Sequence, residues 1–210
     1  MFLDVNFFPN LPDTPEKVLK AYSMGVFPMG NAFFNSIDWY TANPRGIISL
    51  NDDIFKFNVP RSVRQIIKKN IFEIKIDTCF SKVIGNCSKR HDTWITKKIK
   101  DFYIRLHKMG YAHSVEAYYR GKLAGGLYGV ALNGAFFGES MFYSVSGASK
   151  VAVVKLYEIL KKNGFTLFDI QMITPVFKNF NAILISQNEY MKMLNSAMLL
   201  NCRFQMSDSL

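Results

Sequence analysis

No stretch of the 210-residue chain reaches ~18 consecutive apolar residues, the length a helix needs to cross a bilayer, so no segment reads as a membrane span. Met1 to Pro9 lack a basic segment leading into an apolar run and a small-residue cleavage site. Export is therefore not expected, and a cytoplasmic protein is. Cysteine is scarce: Cys79, Cys87 and Cys202 are odd in number and sit at no metal-ligand spacing, which argues against a disulfide framework or a zinc site and suits a reducing compartment. His91, His107 and His113 are as sparse, and likewise form no metal spacing. No Ser or Cys lies on a recognisable nucleophile turn. No internal repeat or low-complexity segment appears. Acidic residues are also short, 16 against 26 Lys and Arg, which leaves a net charge of +10 and a pI near 9.5. That balance suits a polyanionic partner such as nucleic acid, and less well an acidic membrane surface.

What is present is apolar matter: 49% hydrophobic residues in 24.1 kDa supply core for one compact domain, or for a main domain with a small appendage. The division is expected near residue 60, with a small N-terminal domain over 1–60 and the main domain over 61–210. Thr14 as cap and Pro15 at the first helical position predict a helix to about Ser23. Gly25-Val-Phe-Pro and Asn43-Pro-Arg-Gly predict a punctuated loop that holds Trp39 and Tyr40. Then come a basic helix near Arg61 to Lys69, a strand over Phe72 to Ile76, and a helix near Phe80 to Cys87. Ile95, Ile99, Phe102, Tyr103 and Leu106 recur at helical spacing before Gly110. Three strands follow, from about Ala112 to Tyr119, Lys122 to Ala131 and Ala135 to Phe142. Asn133-Gly134 is a hairpin signal, because both residues tolerate positive φ. A helix over Ala148 to Asn163, a buried strand over Phe165 to Gln171 and a last helix capped by Ser186 complete the chain. Helix, meander, helix, strand is the order of an acetyltransferase-like α/β fold, of the α+β kind, with a mixed, largely antiparallel sheet.

Chemistry concentrates in a few places. Glu139 stands among Phe136, Phe137, Met141 and Phe142, and a carboxylate in such company either meets a cation or titrates. The ammonium of a bound amino acid would serve. Asp169 and Gln171 are two apart on a predicted strand and so share one side. They converge on one spot, either as a functional pair or as partners of loop amides at the sheet end. Gly125-Gly126 lie within a strand rather than at the opening of a helix, so close backbone approach is expected and phosphate binding is not. Arg61, Arg64, Lys68 and, less closely, Lys69 line neighbouring turns, with Ile66 and Ile67 free to face the core. Such cations engage phosphates without reading sequence, or form a solvated face.

Ala21-Tyr22-Ser-Met-Gly25-Val-Phe27-Pro28, Trp39-Tyr40 through Asn43-Pro44-Arg45, Arg61-Ser62, Thr93-Trp94-Ile95-Thr96, Gly110-Tyr-Ala-His113-Ser114-Val-Glu116, Gly126-Leu-Tyr-Gly129-Val, Phe137-Gly-Glu139-Ser140-Met141-Phe142, Ala148-Ser-Lys150 and Asp169-x-Gln171 occur in this order. Together they resemble the bacterial leucyl/phenylalanyl-tRNA-protein transferases. The resemblance implies transfer of Leu or Phe, with Met a further candidate, from its tRNA ester to the N-terminal amine of proteins that begin with Arg or Lys, which marks them for degradation. It implies no metal or coenzyme, since the ester is already activated, and a monomer as the default. It implies a pocket floor of Leu127, Phe136, Met141 and Phe168 that admits β-branched side chains less well, and Glu139 on the amino group. Trp94, with Trp39 and Tyr22, matches positions toward the terminal adenosine. Arg61, Arg64, Lys68 and Lys69 match a basic helix that faces the tRNA, interrupted by Gln65. Asp169 and Gln171 match the polar pair of the reaction centre, where Asp169 would orient the incoming amine and receive or relay a proton, and Gln171 would position groups about the ester. Met29 departs from the pattern, which usually has Trp after Phe-Pro. Gln187 stands where the family has Arg.

Two other readings compete. A coenzyme A-dependent acyltransferase would need a pyrophosphate-binding turn after the meander, and Ser144-Val-Ser-Gly-Ala-Ser-Lys has one glycine and no leading Arg or Gln. A non-catalytic binder of tRNA or degradation signals would keep pocket and basic helix but tolerate loss of Asp169 and Gln171.

Overall fold

The computed structural model describes residues 2–4, 14–51, 56–89 and 93–205; Pro9 to Asp13, Asp52-Asp53 and His91 lie outside the described residues. Local signals set most boundaries. Pro15 opens α1 (Pro15–Ser23), where its missing N–H would have had no intrahelical partner, and Glu16 faces the positive end of the helix dipole. Gly110, at φ +80°, ends the helix before β6 (Ala112–Tyr119). Arg120-Gly121 turns into β7 (Lys122–Leu132), and Asn133, at φ +52°, turns into β8 (Ala135–Tyr143).

These three strands are the antiparallel meander that the sequence predicts. They sit in a seven-stranded sheet of order β10-β4-β9-β8-β7-β6-β5, completed by β4 (Arg45–Ile48), β5 (Glu73–Ile76), β9 (Leu167–Gln171) and β10 (Ile183–Ile185). Every pair is antiparallel except β8 with β9, so the architecture is mixed α/β with a mixed sheet. Alternation divides the core between two faces. Tyr128 and Phe137 go to one, with α1, α3 (Phe80–Cys87), α4 (Lys97–Lys108) and α7 (Gln187–Met198). Leu127 and Phe136 go to the other, with α2 (Arg61–Lys68) and α5 (Ala148–Lys162). Glycine lets the layers close: a Cβ on Gly125 would lie 2.6 Å from that of Ala148 on α5, so Gly125-Gly126 serve close approach as expected. Among the described residues no helix is long and apolar enough to cross a membrane.

The segment after α1 departs from expectation. In place of a loop, β2 (Phe27–Asn31) and β3 (Ser36–Ala42) form a hairpin that joins β1 (Phe2–Asp4) in a second sheet of order β1-β3-β2. Pro28 is tolerated because β2 is an edge strand, and Trp39 lies opposite it on β3 rather than in a loop. Although it precedes residue 60, β4 belongs to the larger sheet, and Val18, Phe27 and Trp39 share one apolar cluster with Phe80, Phe102 and Phe137. The remaining helix, α6 (Pro175–Lys178), and β10 were not expected. Both are too short for periodicity to register.

Candidate functional site

The parallel pairing of β8 with β9 runs from Ala135↔Leu167 to Phe137↔Asp169 and stops there, although both strands continue. Gly138, Glu139, Ser140 and Met141 on one side and Ile170 and Gln171 on the other then line a cleft of about 300 Å³. That size suits a small ligand group. Leu127, Leu156, Phe168 and Phe177 make its walls apolar, and Phe27, Met29 and Trp94 border it from the N-terminal hairpin and the start of α4.

Glu139 enters the cleft by a bulge. Register with β7 steps from Tyr128↔Ser140 to Gly129↔Gly138, which makes Glu139 the extra residue of β8 and re-aims its side chain. Gly129 permits this, since a Cβ there would stand 2.3 Å from the Phe137 carbonyl oxygen. The Tyr22 hydroxyl donates to Glu139 Oε1 at 2.6 Å, and Tyr22 and Tyr103 hydroxyls are 2.7 Å apart. Burial pushes the Glu139 carboxyl up to about 7; the Tyr22 and Tyr103 hydroxyls and the Arg45 charge pull it down, and the Asp169 charge pushes it up. Glu139 is only partly exposed, where it borders the cleft, and the burial effect dominates.

A raised carboxyl binds its proton more tightly in the folded chain than in the unfolded one. Its contribution to stability is complete below the ordinary carboxylate range and is lost as pH rises through about 7. We expect about 3 kcal/mol of stability to disappear between pH 4.5 and 8 in urea titrations of the free protein. Glu139→Gln should flatten that slope; an equal slope in the variant would assign it to another group.

Asp169 is fully buried, and its carboxylate is occupied. Arg45, itself fully buried, donates from Nε and Nη2 at 2.7–3.1 Å; the Tyr190 hydroxyl donates at 2.7 Å and the Gln171 backbone N–H at 2.8 Å. The Arg45 guanidinium lies over the rings of Phe27 and Tyr190 and donates to the Gly25 carbonyl. Asp169 and Gln171 therefore do not project side by side. Asp169 turns to Arg45, away from the cleft wall, while Gln171, at φ +57°, borders the cleft. Strict alternation fails because β9 carries a bulge at Ile170 and ends in a left-handed residue. A non-glycine residue held at positive φ costs energy and persists only where its surroundings fix it. Gln171 Nε2 is buried and has no hydrogen-bond partner among the described residues.

Of the expected pocket residues, Leu127, Met141 and Phe168 line the cleft with Glu139. Phe136 is a correction: it is fully buried behind the wall, its ring edge-on to Phe168 at 5.8 Å. Trp94 borders the cleft. Trp39 and Tyr22 do not, and cannot stack on a ligand: Trp39 packs in the core, and Tyr22 has no exposed surface and holds Glu139 instead. Arg61, Arg64, Lys68 and Lys69 are exposed on and just after α2, while Val63 is buried beneath and Ile66 and Ile67 are half-buried. Sequence reasoning missed Arg45, Tyr103 and Tyr190. Arg45 did carry a signal, since a cation opening the apolar run Ile47-Ile48 needs an acid if the strand is buried.

Residues 52–195 match the family described as leucyl/phenylalanyl-tRNA protein transferase. A protein named leucyl/phenylalanyl-tRNA–protein transferase from Gloeobacter violaceus is 43% identical over 192 residues, 91% of this chain and 97% of its own. Proteins of the same name from Synechococcus sp. strain JA-3-3Ab and Salinibacter ruber are 39% and 43% identical over 89% and 90% of this chain, which is 96% and 82% of theirs.

Proposed function

This chain belongs to the leucyl/phenylalanyl-tRNA protein transferase family, and from that premise we propose that its cleft holds the aminoacyl end of a tRNA while a protein's N-terminal amine attacks the ester. The protein is an aminoacyltransferase that moves an amino acid from tRNA to proteins. The observation that carries the reading is Glu139, a bulged carboxylate at the edge of an apolar cleft, tied on one oxygen by Tyr22 and available to an ammonium on the side that faces the cavity. A Leu or Phe side chain fits the walls made by Leu127, Met141 and Phe168. Trp94, at the border of the cleft, stacks on the terminal adenosine in this reading. The basic helix α2 supplies Arg61, Arg64, Lys68 and Lys69 for phosphates, and the acceptors are proteins that begin with Arg or Lys. The protein works as a cytoplasmic monomer, and its larger sheet with the meander, helix and strand order is read as an acetyltransferase-like fold.

In the reaction the neutral α-amine adds to the ester carbonyl carbon, and the carbonyl oxygen takes up negative charge. The bond to the ribose oxygen then breaks, and the proton lost by the amine ends on that oxygen. An α-amine of pKa ~7.7–8.0 is partly neutral at cellular pH and needs no strong base. Asp169, whose oxygens are engaged by Arg45, Tyr190 and the Gln171 N–H, is better suited to fixing the Gln171 backbone than to meeting the incoming amine. Gln171 then presents its unpartnered Nε2–H to the carbonyl oxygen as charge develops there. Holding ester and amine in register is itself worth several kcal/mol.

The direct test is incubation with labelled leucyl-tRNA and a model protein that starts with Arg; label at its amino terminus supports the reading, and none at any pH would contradict it. Gln171→Gly separates strain from function. Glycine accepts positive φ, so the variant should be as stable as the parent or about 1 kcal/mol more so, while kcat falls at least about tenfold with the lost donor. Unchanged kcat would remove Gln171 from the chemistry.

A further inference from the structure

The turn between β2 and β3 carries two bare aromatic rings. Phe33 and Phe34 are 89% and 72% exposed, and they meet edge-to-face with ring centres 4.8 Å apart. The turn is built to hold them: Asn31 Oδ1 accepts from the backbone N–H of both, and Asn31 Nδ2 donates to Asp38 across the hairpin. The hairpin is also seated. The Gly30 N–H donates to the Trp94 carbonyl at 3.0 Å, and a Cβ on Gly30 would lie 2.6 Å from Thr96 Oγ1, so β2 rests directly on the segment that leads into α4. The first turn of α4 holds Lys97, Lys98 and Lys100 and no acid. Cations there oppose the helix dipole, a local cost that a bound anion relieves.

We propose that Phe33 and Phe34, carried by a hairpin that rests at Gly30 on the segment leading into the lysine-bearing first turn of α4, form a stacking platform for the unpaired nucleotides that precede the terminal nucleotide of the tRNA. This rests on the transfer reading, because the aminoacyl group in the cleft fixes where those nucleotides run. Met29 and Trp94 border the cleft; Phe33 lies four residues along from Met29, about 14 Å in extended chain, within reach of a few stretched nucleotides. Rings that accept any base, on a hairpin seated at the start of a cationic helix turn, are the makings of a single-strand site. A protein that begins with Arg or Lys is repelled by the same lysines, which assigns the surface to the nucleic acid.

The test compares uncharged tRNA with the same tRNA lacking its unpaired 3′ nucleotides, using the full chain and its Phe33→Ser/Phe34→Ser variant. Both rings are exposed, so the melting temperature should not move. The variant should bind intact tRNA about tenfold more weakly and the shortened tRNA as the parent does, while Phe33→Tyr/Phe34→Tyr restores the difference. Equal weakening on both RNAs, no weakening on either, or a raised KM for the acceptor protein alone would overturn the proposal. If the parent and variant bind as expected but the parent transfers no Leu, the platform stands and the transfer reading falls.

Discussion

Glu139→Gln should lower kcat/KM for leucyl-tRNA at least about 100-fold while leaving the Kd for uncharged tRNA within about twofold. The loss comes from the cleft. A charge-assisted hydrogen bond between carboxylate and ammonium contributes about 1.5–3 kcal/mol, and an ammonium left among apolar walls without its counter-ion adds a desolvation penalty. Gln keeps the size of Glu and its carbonyl can accept the Tyr22 hydroxyl, so the bulge should survive the change. Part of the acid side of the pH–rate profile belongs to the same group. With its carboxyl pushed up to about 7, Glu139 is half protonated near neutrality in the free protein, and kcat/KM should rise with pH through that region. In Glu139→Gln the part of the rise centred near 7 should vanish together with most of the rate, leaving only the rise that the acceptor amine, of pKa ~7.7–8.0, gives in both proteins. A variant within threefold of the parent would mean that the ammonium is held elsewhere.

The second large effect is on stability. Arg45→Met should destabilise the fold by about 3–5 kcal/mol, because it leaves Asp169 as an uncompensated charge with no exposure. For a chain of this length that lowers the melting temperature by roughly 6–20 °C. Arg45→Met/Asp169→Asn should lose less than the sum of the two single changes, since each alone strands a buried partner. Strict additivity would mean that the pair does not act as a unit. The effect reaches the cleft through one bond: Asp169 accepts the Gln171 N–H, so loss of the pair frees the left-handed turn. Transfer should fall in both single variants even at temperatures where they stay folded.

Much of the scaffold could be read before the coordinates because its punctuation is local. Asn133-Gly134 and Arg120-Gly121 set the meander, Gly110 and Gly164 end helices at positive φ, and Ser186 caps α7 in a reciprocal box with Glu189. The β2–β3 hairpin was not readable, since Pro28 argues against a strand unless the strand is known to be an edge, and edges are a tertiary fact. The site divides along the same line. Glu139 was legible from its apolar neighbours, but its entry into the cleft depends on a bulge that no period-2 pattern reveals. The same rule misplaced Asp169: counting by two put it beside Gln171, whereas the Ile170 bulge and the turn at Gln171 send the two side chains to different partners. Arg45 was visible in sequence without its role, because its partner lies 124 residues away.

We propose that Glu139 holds the ammonium of a carried amino acid in the cleft between β8 and β9. The most direct measurement is the affinity of a phenylalanyl-adenosine joined through a stable amide, set against its N-acetylated form, in the parent and in Glu139→Gln. Acetylation should weaken binding to the parent at least about 50-fold and hardly change binding to the variant, since only the parent has a carboxylate for the ammonium to lose. Equal affinity of the two ligands for the parent would contradict it.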